Sequence, residues 1–341
     1  MGIKSNYNKF LRDISPNIFN TVHISNYIHK KIAIDTTLYM YKYKAIFGDT
    51  WLEGFARLIK CLRDNGVHCI FILDGPSPVE KTEEQTKRRE SKQKLIEQIK
   101  AIDEDITIYR RNGSVGDHLT KLFKDTGGIV IDSEIDMRYE KKSRQVVNIN
   151  NNDFIELKKL FDLYGVSWHE APGEAEKYGC KLCIDNMVDA VLSDDTDILA
   201  YGSPVCLSKL DVISGLVCQV NYQQLLTELG FDRMQHLDHC IMCGTDYNDN
   251  IKGIGSHKSY KLMQKYNNIE QIVSNIVEES DLGERANDLR KMFTHFIDIS
   301  DVKILYNNMP DSEGIMAFLK DKKIAYVDLQ FIPNKVTINF I

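Results

Sequence analysis

The chain has 341 residues and a formal net charge of −6, with 43% hydrophobic and 27% charged residues, an ordinary globular balance that excludes a disordered or collagenous chain. No run of about 18 apolar residues occurs, so no membrane-spanning helix is expected. The start, MGIKSNYNKF, has no signal-peptide core, and Asn6 stands where myristoylation needs Ser or Thr, so a soluble intracellular protein is the expectation.

In chain order, a helix is expected over Asn6–Asp13, then a short buried strand, Lys31–Asp35, with its acid at the carboxyl end. Trp51–Asn65 has helical periodicity and is stopped by Asn65-Gly66. Cys69–Asp74 reads as a second buried strand that ends in an acid and is broken by Gly75-Pro-Ser-Pro78. A charged helix follows over Lys81 to about Ile102, and its first twenty residues carry seven Lys or Arg against four Glu. Residues 103–136 mix glycines with short apolar runs and give no clear element; Lys141–Arg144 is basic and Asp153–Tyr164 is an amphipathic helix. Asp189–Asp195 reads as a third strand with acids at its end. Val205–Leu210 and Leu216–Val220 form a hairpin pattern, followed by helices at Tyr222–Leu229, His236–Cys243 and Ser259–Tyr266.

Eight cysteines are scattered, as suits free thiols in a reducing compartment. Cys180/Cys183 and Cys240/Cys243 have zinc-like spacing, but each pair sits in a helical apolar pattern where i,i+3 marks one buried face. Packing is the expected role.

Acids recur at the carboxyl ends of the three strands, Asp35, Asp74 and Asp195, and in a parallel sheet those ends share one edge, where open α/β sheets place their sites. Asp197 follows Asp195 at i,i+2, a spacing that keeps both on one side of an extended segment. Glu174 and Glu176 can serve one site only at a helix start, and Pro172-Gly173 supplies one. Asp246 joins from a later loop. A single acid after a strand is most often a turn former or N-cap. Recurrence on three strands, together with two pairs, points instead to clustered like charges that need a cation. Oxygen-only ligands suit Mg²⁺ or Mn²⁺, and two such ions promote attack of water on a phosphodiester.

These motifs, Met1-Gly2-Ile3-Lys4, Ile34-Asp35, Leu73-Asp74-Gly75, Glu170-Ala-Pro-Gly-Glu-Ala-Glu176, Asp194-Asp-Thr-Asp197, Gly244-Thr-Asp246-Tyr247 and Gly253-Ile-Gly255, resemble the flap endonuclease/XPG family of structure-specific 5′ nucleases, colinearly from residue 1 to roughly 325. The resemblance implies an α/β fold: a twisted, mainly parallel sheet flanked by helices (a PIN-like nuclease core), with a helical arch insertion and a helix–two-turn–helix region. It divides the chain, as one compact catalytic domain overall, into a nuclease region with the start of the helical gateway (1–100), an arch or cap insertion (101–150), an internal nuclease region (151–250) and a helix–two-turn–helix and carboxyl-terminal helical region (251–341). It makes Asp35, Asp74, Glu174, Glu176, Asp195, Asp197 and Asp246 ligands of two Mg²⁺ ions, for which Mn²⁺ can substitute. It makes Lys81 and Arg88 the catalytic cations over the scissile phosphate, and Tyr41 the aromatic that stacks on a terminal base. Gly2, Arg144, Lys252, Gly253, Gly255 and Lys258 become DNA contacts, with K⁺ at the turn before Ser259, although Asn250 stands where a K⁺-binding Ser is common. Cleavage of branched or 5′-flap DNA by a monomer in replication, repair or recombination is implied. Val327-Asp-Leu-Gln-Phe331 is no sliding-clamp-binding box. Junction resolution or pure exonuclease action on the same scaffold is the alternative, and a catalytically silent binding protein is disfavoured by retention of all seven acids.

Overall fold

The protein is described here by a computed structural model, which covers residues 2–276 and 281–324. Met1 and residues 325–341, on which the expected lack of a clamp-binding box bears, lie outside that part. Helix α1 (Tyr7–Ile14) and strand β1 (Asn20–His23) precede β2 (Lys31–Asp35), α2 (Thr36–Phe47), α3 (Leu52–Asp64) and β3 (His68–Leu73). The long α4 (Thr82–Asn112) rises from the end of β3 and leads to α5 (Asp117–Leu122) and α6 (Ile135–Ser143). The chain re-enters the body through α7 (Asn151–Leu163), β4 (Ser167–Glu170), α8 (Ala175–Ile184), β5 (Ala190–Leu192), α9 (Asp197–Ala200), β6 (Val205–Ser208) and β7 (Leu216–Asn221). Six helices complete the described part: α10 (Tyr222–Leu229), α11 (Arg233–Cys243), α12 (Ser256–Tyr266), α13 (Ile269–Ile276), α14 (Leu282–Thr294) and α15 (Ser312–Asp321).

Seven strands form one sheet in the order β1-β7-β6-β5-β2-β3-β4, parallel from β6 to β4 and antiparallel at the β7 and β1 edge. The fold class is therefore as expected, and β2 lies between β3 and β5, so the three acid-tipped strands are neighbours. Both faces are covered, which is why the central strands read as continuous apolar runs. Ile32, Ile34, Phe71 and Leu192 pack under α2, α3 and α7, while Ala33, Ile70, Ile72 and Val191 pack under α1, α8 and α11. The four Cys-x-x-Cys thiols are buried, in the second of these cores.

Four local expectations change. Helix α4 continues ten residues past Ile102. It crosses residue 100, so the nuclease region and the arch share one helix. The unassigned stretch after it is a helical cap with its own small core of Ile102, Ile106, Leu119, Phe123 and Ile135. Strands β1 and β4 and helix α2 had no clear signal, since each edge strand is only four residues long and α2 carries apolar residues around most of its circumference. Asp195 and Asp197 do not share an extended segment, because Asp197 already opens α9. No helix among the described residues is long and apolar enough to cross a membrane.

The Phe161 ring lies stacked on Phe71, centroids 4.1 Å apart, and edge-on to Phe55, with no exposure. Phe161→Ala is expected to cost about 3–5 kcal/mol, read as a lower urea midpoint at unchanged slope. A loss below about 1 kcal/mol would show that this face of the sheet is not tightly packed.

Candidate active site

The three strand-end acids are held by helix starts. Asp35 accepts the Leu38 N–H at 3.2 Å and so caps α2, while its second oxygen accepts the Ser193 hydroxyl at 2.9 Å. Asp74 accepts the Ala175 N–H at 2.7 Å, which fixes it to the first residue of α8. Asp195 accepts the Asp197 N–H at 2.9 Å at the head of α9. The ordinary role of a post-strand acid, capping, and a role in a charged site are thus met by the same side chains. Each carboxylate also sits at the positive end of a helix, where its charge is stabilised.

Glu174 occupies the N-cap position of α8 and Glu176 its first turn, as the Pro-Gly signal implied. One oxygen of Glu174 accepts hydroxyls from Tyr201, at 2.8 Å, and Tyr247, and the other pairs with the Lys81 ammonium. Lys81 also reaches Asp246 at 3.0 Å, and Arg88 donates to the same Asp246 oxygen at 2.8 Å. Two residues seven apart at the base of α4 therefore converge on one carboxylate. Six of the seven acids line one cleft with Tyr41, Lys81, Gln85 and Arg88. The seventh, Asp197, lies behind it, 2% exposed, with Oδ1 buried and lacking a hydrogen-bond partner.

The electrostatics follow from crowding. Burial, then the charge of Asp74, pushes the Asp35 carboxyl up to about 8, against partial relief from Leu38 and Ser193. Asp197 is raised by burial and by Asp195 and Asp246. Glu176, which lines the cleft with Asp35, Asp74 and Asp195, is raised by desolvation and then by the charges of Asp35, Asp195 and Asp74. Burial opposes ionisation of Asp246 too, but Lys81 and Arg88 outweigh it and hold this carboxyl below its ordinary value. Burial likewise disfavours the Lys81 ammonium, and Glu174 and Asp246 overcome that penalty. Among the described residues, no three His, Cys, Asp or Glu side chains stand at chelating distance. As the side chains stand, Glu174 and Asp246 are drawn to the Lys81 ammonium. The donor set still fits hard divalent cations: it is all oxygen, mutually repelling, and includes an unpartnered buried carboxylate oxygen.

The other sequence candidates divide. Tyr41, on α2, is 48% exposed and lines the cleft. Gly2 has φ +85°, and a Cβ there would collide with the Asp195 carboxylate and lie 2.7 Å from the Asp197 nitrogen, so position 2 must be glycine for the amino-terminal segment to cross the acids. Lys252, Gly253 and Gly255 lie in the turn before α12, and Lys258 is exposed in its first turn. Arg144 is not brought to the acids; it pairs with Glu140 and the Ile46 carbonyl, tying α6 to the end of α2. Sequence reasoning missed Tyr201, whose signal is its i,i+4 spacing from Asp197, and the role of Tyr247, which directly follows Asp246.

The amino-terminal part, residues 1–95, matches the XPG N-terminal domain, and residues 165–246 match the XPG I-region. The chain is 31% identical over 310 residues to a probable RAD2-like endonuclease of Invertebrate iridescent virus 3, an alignment covering 80% of this chain and 81% of that protein. It belongs to the flap endonuclease/XPG family of nucleases. Flap endonuclease 1 of Zea mays is 30% identical over 343 residues, covering 94% of this chain and 82% of that one. The catalytic core of Rad2 in complex with a DNA substrate superposes with a TM-score of 0.64 at 19% identity, over 92% of this chain and 93% of that one. The family's two matched segments carry all seven acids, and the unmatched stretch between them begins inside α4 and holds the cap.

A pH dependence follows for the metal-free protein. Carboxyls raised on folding bind more protons in the folded than in the unfolded state, so stability falls as pH rises through the folded values. The buried, neutral His236 and His239 act oppositely below their ordinary value of 6.5. Between pH 7 and 8.5 the acids dominate, and the melting temperature in EDTA is expected to fall. In Asp35→Asn the fall should be smaller, and an equal fall would refute the assignment to this cluster.

Proposed function

We propose that this family member is a metal-dependent, structure-specific DNA nuclease that hydrolyses phosphodiesters next to a 5′ single-strand/double-strand junction, with 5′→3′ exonuclease action on the same substrates. The observation that carries this reading is the convergence of Lys81 and Arg88 at the base of α4 on a cleft where Asp35, Asp74 and Asp195, at the ends of three parallel strands, meet Glu174, Glu176 and Asp246. Two Mg²⁺ ions, or Mn²⁺, held by Asp35, Asp74, Glu174, Glu176, Asp195, Asp197 and Asp246 would supply a nucleophilic water and charge stabilisation at the leaving oxygen.

The chain's own residues supply positioning. Lys81 and Arg88, which balance Glu174 and Asp246 in the free protein, can turn to a phosphate placed over those acids, Arg88 through two donors. Tyr201 and Tyr247 hold Glu174 in place from behind. The ring of Tyr41 offers a stacking face at the cleft mouth for an unpaired base. The turn at Gly253–Lys258 offers backbone amides at the start of α12, which bind duplex phosphates without reading sequence. One chain per substrate suffices, acting where DNA is replicated or repaired.

On a labelled 5′ flap with Mg²⁺, Asp195→Asn is expected to lose cleavage by at least about 100-fold while flap affinity changes little. Full activity in that variant would sink the metal reading. Lys81→Ala and Arg88→Ala should each slow single-turnover cleavage by roughly 100-fold, well beyond their effect on binding. A loss confined to affinity would instead make them binding residues.

A further inference from the structure

The turn ahead of α12 has Gly253 at φ +78° and is closed by the Ile254 N–H donating to the Ile251 carbonyl at 2.9 Å. The side-chain amide of Asn250 folds into this turn. Its Nδ2 donates to the Ile251 carbonyl at 3.3 Å and to the Ile254 carbonyl at 3.1 Å. On the other side, the Lys258 ammonium lies 3.4 Å from the Gly253 carbonyl. The family resemblance implies a K⁺ ion at this turn, and such an ion would have to be ligated by carbonyl oxygens that the turn presents. Three of those oxygens already face donors belonging to the chain itself.

The two orientations of the Asn250 amide are chemically exclusive. With Nδ2 inward, one donor group satisfies two acceptors, and its partial positive charge repels an ion. With Oδ1 inward, it would face the Ile251 and Ile254 carbonyls with no donor but the Ile254 N–H already on Ile251, an arrangement that is costly unless a cation lies between them. Amide orientation is read from the hydrogen-bond network, and here that network selects Nδ2. In that orientation the turn presents a donor, not a ligand, to a K⁺ ion.

We infer that the Asn250 amide takes the place of the ion, so that this turn holds its shape and grips duplex backbone without a monovalent cation. The inference rests on the reading of the turn as the duplex-binding element. A serine at this position would remove the donor group and leave a hydroxyl oxygen beside the Ile251 and Ile254 carbonyls. Asn250→Ser should thus convert an ion-independent turn into one that needs the ion.

The test is duplex affinity of the full chain, measured by fluorescence anisotropy in EDTA, in KCl and in tetramethylammonium chloride at equal ionic strength. Equal ionic strength matters because phosphate contacts are themselves salt-dependent. The wild-type protein is expected to bind equally in the two salts within about twofold, and Asn250→Ser to bind at least about fivefold more tightly in KCl. A wild-type preference for K⁺, or an Asn250→Ser variant as indifferent as the wild type, would overturn the inference. The Lys252→Ala/Lys258→Ala double variant separates this from the underlying reading. It is expected to reduce the slope of log affinity against log salt by about two, and an unchanged slope would remove the turn from the duplex interface whatever the ion results.

Discussion

Like charges cannot be gathered in a cleft for nothing. Two carboxylates about 4 Å apart repel by roughly 4 kcal/mol at the effective dielectric of a protein surface, and this cleft gathers six with a seventh behind. Much of the architecture is a response to that repulsion. Helix starts donate N–H groups to Asp35, Asp74 and Asp195, Lys81 and Arg88 bring positive charge to Glu174 and Asp246, and Asp35, Glu176 and Asp197 are pushed toward the protonated form. Each device leaves part of the charge uncompensated, and the uncompensated remainder is what a divalent cation would take up.

The two ends of α4 serve different demands. At 31 residues the helix is about 46 Å long. Its base carries Lys81 and Arg88 into the acids, while Ile102 and Ile106 near its far end are buried in the cap's own small core. A single helix therefore links the acid cluster to the cap. The return segment is tied to α4 by Lys92, on the Val147 carbonyl and Asn148, and to α2 by Lys44, on the Asn148 carbonyl and Asp153. The two family segments flank the cap on either side.

How much of this was legible depended on whether the signal was local. Asp35 and Asp74 each end an uninterrupted apolar strand, and the start of α8 is announced by Pro172-Gly173, so the site's position on the sheet could be read directly. The capping roles of those acids could be read too, as the competing explanation; the structure makes both true at once. Tyr201 could not be found the same way, because its value lies in a contact with Glu174 across 27 positions. Strand β1 exists through pairing with residues 216–219, nearly two hundred positions away, which no periodicity over four residues announces. The i,i+2 argument for Asp195 and Asp197 reached the right neighbourhood from the wrong conformation, since a helix start rather than an extended segment sets Asp197. Nothing local to Arg144 announced that it would pair with Glu140 and the Ile46 carbonyl, away from the acids.

The central claim is that the raised carboxyls of this cluster lose their protons to a divalent cation that binds among them. Calorimetric titration of the metal-free protein with Mg²⁺ near pH 7, repeated in buffers of different ionisation enthalpy, measures that exchange directly. Net release of roughly half a proton or more per chain, abolished in Asp35→Asn/Glu176→Gln, is the expected result. Binding of Mg²⁺ with no proton release, or release unchanged by those substitutions, would contradict it.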